Sequence, residues 1–177
     1  MKNIFVLISV LFSVGFSKDF VQPKKDGYTN EEYKSAVEIH QKACDLNISL
    51  SCGDLGLLYE DGKGVKQDFK KAVKLYEKAC DLGDNLGCSR LGLLYERGKG
   101  VKQDYIKAAK LYIKSCEGGD DFSCSYLALL HENEKEFSKA AKLYEKACNR
   151  AGSIGCDSLG SLYKEGKGVK QDFNKAA

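Results

Sequence analysis

The chain has 177 residues, of which 43% are hydrophobic, so it could bury one ordinary core. Its 28 basic and 25 acidic side chains are interspersed and leave a net charge of only +3. So small a charge argues against a surface built for nucleic acid or for an anionic membrane. We therefore predict no nucleic-acid partner and no membrane insertion of the mature chain.

The first 17 residues have the pattern of a secretory signal peptide. Met1-Lys2-Asn3 precede an apolar run at 4–14, and small residues occupy the −3 and −1 positions before Lys18. The apolar run is too short to span a bilayer. We predict cleavage before Lys18, a leader at 18–28, and a mature protein that is secreted or periplasmic, where disulfides can form.

Four cysteine pairs reveal an internal repeat. Seven residues separate the cysteines of each pair, and successive pairs are 36, 36 and 32 residues apart. The third interval is short because four residues are missing within 131–137. The string Gly-Lys-Gly-Val-Lys-Gln-Asp occurs unchanged at 62–68, 98–104 and 166–172. Such a period is typical of solenoids, which bury apolar area between neighbouring units.

We accordingly predict a repeat domain at 29–177. It has four cysteine-paired units, followed by a partial fifth. The four units lie at about 30–65, 66–101, 102–133 and 134–169. The final residues, 170–177, start the first helix of another unit and then stop, so we expect the chain to be a fragment of a longer array.

Each unit contains the pattern of an amphipathic first helix. Counted back from the first cysteine, an aromatic residue stands at −11, alanine at −8, an aliphatic residue at −5 and a small residue at −1. These intervals of three and four place the residues on one helical face. Thr29 and Glu32 form a capping box before the first unit, and Asp68 and Asp104 suit the N-cap in later units.

A second helix follows at once in each unit. Asn47, Gly83 and Gly119 stand where a helix ends in a left-handed residue. The predicted N-caps of the second helices are Ser49, Asn85, Asp121 and Ser153, and the predicted ends are Gly62, Gly98 and Gly166. A glycine column inside these helices, Gly56, Gly92 and Gly160, predicts a close approach of two helix backbones.

The cysteines fall in the last turn of the first helix and the first turn of the second. These turns are neighbours in an antiparallel hairpin, so a disulfide is within reach. The predicted bridges are Cys44–Cys52, Cys80–Cys88, Cys116–Cys124 and Cys148–Cys156. Zinc is the alternative, but its ligand pairs are usually closer in sequence, and a secretory leader favours disulfides. We predict no metal and no cofactor.

The motifs Ala-x-Lys-Leu-Tyr-x-Lys-Ala-Cys, Leu-Gly-x-Leu-Tyr and Gly-x-Gly-Val-x-x-Asp resemble those of Sel-like repeat proteins, relatives of tetratricopeptide repeats. Within that class the chain is similar to the Helicobacter cysteine-rich proteins, which carry one cysteine pair per helical hairpin. The resemblance covers about 29–177 and implies an all-α solenoid, a right-handed superhelix of disulfide-stapled hairpins. It also implies secretion and a concave surface for peptides or proteins. Family members have been described as penicillin-binding proteins with slow β-lactamase activity.

Few residues could carry out such chemistry. His40 and His131 each replace a framework tyrosine, and we interpret both as packing residues rather than general bases. Ser161-Leu162-Tyr163-Lys164 matches the Ser-x-x-Lys motif of serine β-lactamases, but the sequence contains neither Ser-Asp-Asn nor Lys-Thr-Gly. The position of Ser161 is occupied by leucine in the other three units. Catalytic residues are therefore unknown, and hydrolysis of penicillin-like β-lactams rests on the resemblance alone.

Lysines four residues apart form a basic strip on the first helices. They are Lys74, Lys110 and Lys142 at −6, with Lys78, Lys114 and Lys146 at −2. The simpler interpretation is that the strip is a solvent-exposed charged face. The more specific interpretation is that it lines a groove that binds an acidic peptide or a peptide's C-terminal carboxylate. We predict a monomeric, secreted protein that binds a peptide, a host or cell-envelope protein, or a cell-wall-derived ligand, with a slow β-lactamase as the alternative.

Overall fold

The computed structural model describes residues 29–148 and 153–176, so the predicted signal peptide and leader lie outside the described residues. Within the described ranges the chain forms eight α-helices and no strand, and each helix packs mainly against its neighbours in sequence. The prediction of an all-α solenoid is confirmed. The helices are α1 (Asn30–Asp45), α2 (Ser49–Asp61), α3 (Phe69–Asp81), α4 (Asn85–Arg97), α5 (Tyr105–Gly118), α6 (Asp121–Asn133), α7 (Phe137–Cys148) and α8 (Ser153–Glu165).

The predicted caps of the first helices are present. Thr29 accepts a hydrogen bond from the Glu32 amide at 3.2 Å, and the Glu32 carboxylate accepts one from the Thr29 amide at 2.7 Å. Asp68 and Asp104 are the N-caps of α3 and α5. Each of these caps satisfies an amide that the helix itself leaves without a partner.

The N-caps of the second helices lie one residue earlier than we predicted from Ser49, Asn85 and Asp121. In α4 the cap is Asp84, whose side chain accepts from the Leu86 amide at 3.1 Å. The left-handed residue that follows α1 and α3 or ends α5, with φ between 62° and 104°, is followed directly by an extended residue. Extended backbone is what an N-cap requires, so the helix begins one position sooner.

The repeated heptapeptide connects one hairpin to the next through backbone geometry. Gly62 ends α2 in the left-handed conformation, with φ 70°. Gly64 also has φ 70°, and a Cβ at this position would collide with the backbone of Tyr33. The Gln67 side chain then donates to the Glu60 carbonyl oxygen at 2.8 Å. These constraints explain why the same residues recur between units.

Every hairpin is closed by one disulfide. The four bridges are Cys44–Cys52, Cys80–Cys88, Cys116–Cys124 and Cys148–Cys156. Their Cα atoms are 4.5 to 4.7 Å apart, and the six cysteines of the first three bridges are at most 2% exposed. Four disulfides favour an oxidising compartment, which is extracellular or periplasmic. Within the described residues, no helix is both long and apolar enough to cross a membrane.

Tyrosines of the first helices fill the space between successive hairpins. Tyr112 is 1% exposed, and its ring lies against Gly92, where a Cβ would stand 3.0 Å from ring atom Cε1. Tyr76 lies in the same way against Gly56. At these two positions our prediction of a backbone-to-backbone approach is wrong. The glycine is needed because an aromatic ring from the next hairpin occupies the space of a side chain.

Gly56→Ala should therefore destabilise the protein, although alanine favours a helix by about 1 kcal/mol. The new Cβ would lie 2.7 Å from Cε1 of Tyr76, a ring that is 1% exposed and cannot move into solvent. Overpacking of this kind costs about 1–3 kcal/mol. Urea unfolding of the oxidised protein measures the net loss. Gly53→Ala is unsuitable as a control, because the Asp84 side chain crowds that position. Ser51→Ala, at a partly exposed position on the same helix, is the control and should change stability little.

The two helices of each hairpin lie in different layers. Second helices contact each other directly, α2 with α4 and α6 with α8, and Ser123 Oγ donates to Ser89 Oγ at 3.0 Å between α4 and α6. First helices are bridged by long side chains, as where Lys78 Nζ of α3 donates to the Cys44 carbonyl oxygen of α1 at 2.7 Å. Because successive elements are closest on the inner side of a curved array, the second helices form the inner layer and the first helices the outer layer.

Candidate binding surface

The second helices turn one face away from the core, and we call this face the inner stripe. In α2 it consists of Leu50, Asp54, Leu57 and Asp61, whose spacing keeps them on one side of the helix. The equivalent residues are Leu86, Arg90, Leu93 and Arg97 in α4, Phe122, Tyr126, Leu129 and Asn133 in α6, and Ser158, Ser161 and Glu165 in α8. All of them are at least partly exposed, whereas Leu55 on the opposite face of α2 is 0% exposed.

The inner stripe contains apolar side chains in register from one hairpin to the next. Leu50 is 61% exposed, and Leu86 and Phe122 are each 51% exposed. Leu129, which lies about two turns after Phe122 in α6, is 46% exposed. Apolar side chains that are aligned on a surface, rather than scattered over it, are typical of sites that bind proteins.

Two positions of the inner stripe differ in every hairpin. The first is occupied by Asp54, Arg90, Tyr126 and Ser158 in turn, and the second by Asp61, Arg97, Asn133 and Glu165. Tyr126 lies against the ring of Tyr112, with 4.7 Å between the ring centres. Since the surrounding framework repeats and these two positions do not, they are the positions best suited to select one ligand from another.

Buried tyrosine hydroxyls reach the inner layer between the second helices. Tyr76 donates to Glu60 at 2.7 Å, and Arg90 Nη1 lies 3.9 Å from the same carboxylate. Tyr144 donates to Glu132 at 3.0 Å. Burial, and then the hydrogen bond to Glu132, raises the pKa of Tyr144 to about 12. The hydroxyl therefore stays protonated at neutral pH. Glu60 and Glu132 accept hydrogen bonds from these tyrosine hydroxyls, and this is their structural role.

A family model for the Sel1 repeat matches four consecutive stretches of the chain, at 49–84, 86–120, 123–151 and 153–177. The chain belongs to the Sel1 repeat family. The first three matches pair a second helix with the following first helix, so the Sel1 unit is shifted by one helix from the disulfide-closed hairpin. Helices within a Sel1 unit, such as α2 and α3, pack more extensively than helices joined by a disulfide. Sel1 repeats typically mediate contacts between proteins.

Solved Sel1-type structures resemble this chain, and our prediction of a Sel-like repeat protein is confirmed. A protective antigen of uropathogenic Escherichia coli with an SLR fold is 30% identical, with a TM-score of 0.75. A Sel1 repeat protein from Oxalobacter formigenes is 29% identical, with a TM-score of 0.76. Both alignments cover 81% of this chain, but the chain spans only 32% of the antigen and 60% of the Oxalobacter protein.

Cysteine rich protein B of Helicobacter pylori is also similar. It is 42% identical over 50% of this chain and 66% of its own length, with a TM-score of 0.49. Comparison with curated protein sequences gives no significant match.

The predicted lysine strip lies on the outer layer of this Sel1 array. Four of its residues are exposed, namely Lys74, Lys110, Lys114 and Lys142. The Nζ atoms of Lys78 and Lys114 donate to the carbonyl oxygens of Cys44 and Cys80, at 2.7 and 3.1 Å, and so link one first helix to the next. Lys146 is partly buried on α7. A ligand-binding role of the strip stays a prediction.

Ser161 lies exposed on α8 of the last Sel1 unit. Its hydroxyl donates to the Asp157 carbonyl oxygen at 3.1 Å, one turn earlier in the same helix. A cavity of about 500 Å³ opens beside it and is also lined by Lys164 and Lys175. A nucleophilic serine has to give its proton to a neighbouring base, and here the proton is directed to a backbone oxygen. Hydrolysis of β-lactams stays a prediction from the family resemblance.

Both histidines are partly buried beside carboxylates. His40 Nδ1 lies 3.7 Å from Asp54, and His131 Nδ1 lies 2.7 Å from Glu136. Donor atoms of His131, Glu134 and Glu136 lie within 4.8 Å of one another. Sequence reasoning missed this group because it interpreted His131 as a packing residue in the place of a framework tyrosine. The four-residue deletion next to His131 was the signal that could have found it.

Proposed function

We propose that this chain is a secreted or periplasmic Sel1 module that binds an extended protein segment along the inner stripe. The observation that carries the proposal is the exposed apolar column formed by Leu50, Leu86 and Phe122 on successive second helices. An extended segment can lie across several helices and place apolar side chains on each of them. The disulfides support the secreted or periplasmic location, since disulfides form and persist in an oxidising compartment.

Charge at the inner stripe also supports a choice of partner. Asp54 and Asp61 make the part of the stripe on α2 acidic, whereas Arg90 and Arg97 make the part on α4 basic. A segment with a basic residue near α2 and an acidic residue near α4 would complement both. We therefore propose a partner segment with apolar side chains between residues of opposite charge.

Selection of random peptides displayed on phage, against the oxidised chain, tests this function. Selected peptides are synthesised, and their dissociation constants are measured by fluorescence polarisation. The variant Leu50→Ser/Leu86→Ser/Phe122→Ser should weaken binding by about 100-fold or more, because three apolar contacts of about 1 kcal/mol each are lost.

Two variants with equally exposed substitutions serve as controls. Ile39→Ser/Ile106→Ser/Ile113→Ser removes three exposed isoleucines from the outer layer, where exposures are 47%, 72% and 46%. The second control reverses charge in the lysine strip, through Lys74→Glu/Lys110→Glu/Lys142→Glu. Neither should weaken binding. Loss of affinity in the lysine variant alone would show that the binding site lies on the outer layer. Failure to select any peptide would contradict the binding function.

A further inference from the structure

The connection between α6 and α7 departs from the repeat in several ways at one place. Only Glu134, Lys135 and Glu136 lie between the two helices, because four residues are missing there. His131 takes the place of a framework tyrosine, and Glu136 takes the place of the N-cap aspartate that Asp68 provides in α3. These departures bring new donor groups into one turn of the chain.

The departures also change which groups pair with one another. In a regular unit Lys71 Nζ lies over the Tyr59 ring, 4.8 Å from its centre. In the short unit there is no tyrosine ring to cover, and the equivalent lysine, Lys139, contacts Glu136 Oε1 at 2.7 Å. The other oxygen, Oε2, lies 2.7 Å from His131 Nδ1. A cation–π pair has been replaced by an imidazole and a carboxylate.

We propose that His131, Glu134 and Glu136 form a binding site for a divalent transition metal ion such as Zn²⁺. One donor atom of each residue lies within 4.8 Å of the other two. Imidazole nitrogen and carboxylate oxygen both bind Zn²⁺ at about 2.0–2.2 Å, which places ligand atoms about 3–4 Å apart. Small rotations of these side chains, of which Glu134 is exposed and the other two are partly buried, close the remaining distance, and water completes the coordination.

The backbone of the short connection holds the three side chains near one another. The Glu136 amide donates to the His131 carbonyl oxygen at 2.8 Å, and the Lys135 amide donates to the Glu132 carbonyl oxygen at 2.9 Å. Lys135 itself is in the left-handed conformation, with φ 62°. The turn is therefore defined by its own hydrogen bonds, and ion binding needs only side-chain movement.

Lys139 opposes the ion, and this makes the proposal testable in two directions. Its ammonium group now occupies one oxygen of Glu136 and adds positive charge to the site. Metal binding has to overcome the repulsion from this charge. Removal of the lysine should strengthen binding, whereas removal of a ligand should weaken it.

Isothermal titration of ZnCl₂ into the untagged, oxidised chain tests the site in buffer without reductant. All eight cysteines are in disulfides, so thiols do not compete for the ion. We expect one ion per chain. His131→Tyr restores the framework residue and should weaken binding by at least about tenfold. His40→Tyr makes the same change at the other histidine and should leave the affinity unchanged.

Two further variants complete the test. Glu134→Gln, at an exposed position outside the core, should weaken binding, and Lys139→Gln should strengthen it. An Nδ1 resonance of His131 that shifts on Zn²⁺ addition in ¹⁵N NMR would confirm the ligand directly. Binding that is absent, that survives both His131→Tyr and Glu134→Gln, or that is lost equally in His40→Tyr would overturn the proposal.

Discussion

Reduction of the four disulfides should unfold the protein at 25 °C. Each bridge joins cysteines eight positions apart, and the entropic model assigns a loop of this size about 2.5–3 kcal/mol. Together the four bridges contribute about 10 kcal/mol, which is comparable to the whole stability of a typical domain, about 5–15 kcal/mol. Far-UV circular dichroism before and after treatment with a phosphine reductant measures the loss of helix.

Paired substitutions show whether position in the array matters. Cys80→Ala/Cys88→Ala opens a central hairpin that packs against neighbours on both sides, and it should cost more than Cys44→Ala/Cys52→Ala in the first described hairpin. Urea unfolding under oxidising conditions gives both values. A reduced chain that kept its helical signal and its urea midpoint would show that packing between hairpins suffices without the bridges.

Tyr112→Ala should lower the free energy of unfolding by about 3–5 kcal/mol, as expected for truncation of a large buried ring. Tyr112 is 1% exposed, lies against Gly92 and contacts the ring of Tyr126. It also belongs to an apolar cluster of the third hairpin that extends to Tyr95 of the second hairpin and Ala147 of the fourth. Its loss leaves a cavity at an interface on which the continuity of the solenoid depends. Urea unfolding of the oxidised variant measures the effect.

Two neighbouring changes separate ring packing from the hydroxyl group. Tyr112→Phe keeps the ring but removes the 2.7 Å hydrogen bond to Glu96, and it should cost about 1 kcal/mol. Ile113→Ala, at the next residue and 46% exposed, should change stability by less than about 0.5 kcal/mol. If Tyr112→Ala were no worse than Ile113→Ala, the tyrosine column would not be the main contact between hairpins.

Much of the fold could be predicted because it depends on contacts within one unit. The capping box of Thr29 and Glu32, the caps at Asp68 and Asp104, and the helix ends at Gly62 and Gly98 all involve residues a few positions apart. Such contacts depend on local spacing, which the printed sequence displays. In α4 the one-residue error at the cap arose because two polar residues in succession, Asp84 and Asn85, both suit a cap.

The candidate sites depend instead on contacts between units. The sequence by itself determined the period, the hairpins, the solenoid class and the oxidising compartment that the cysteines favour. Only the tertiary structure decided that Gly56 faces the ring of Tyr76, that the second helices form the inner layer, and that His131, Glu134 and Glu136 converge. A repeat period specifies that units stack, but the side chains that meet across the stack depend on the rotation between units and on how far each side chain reaches.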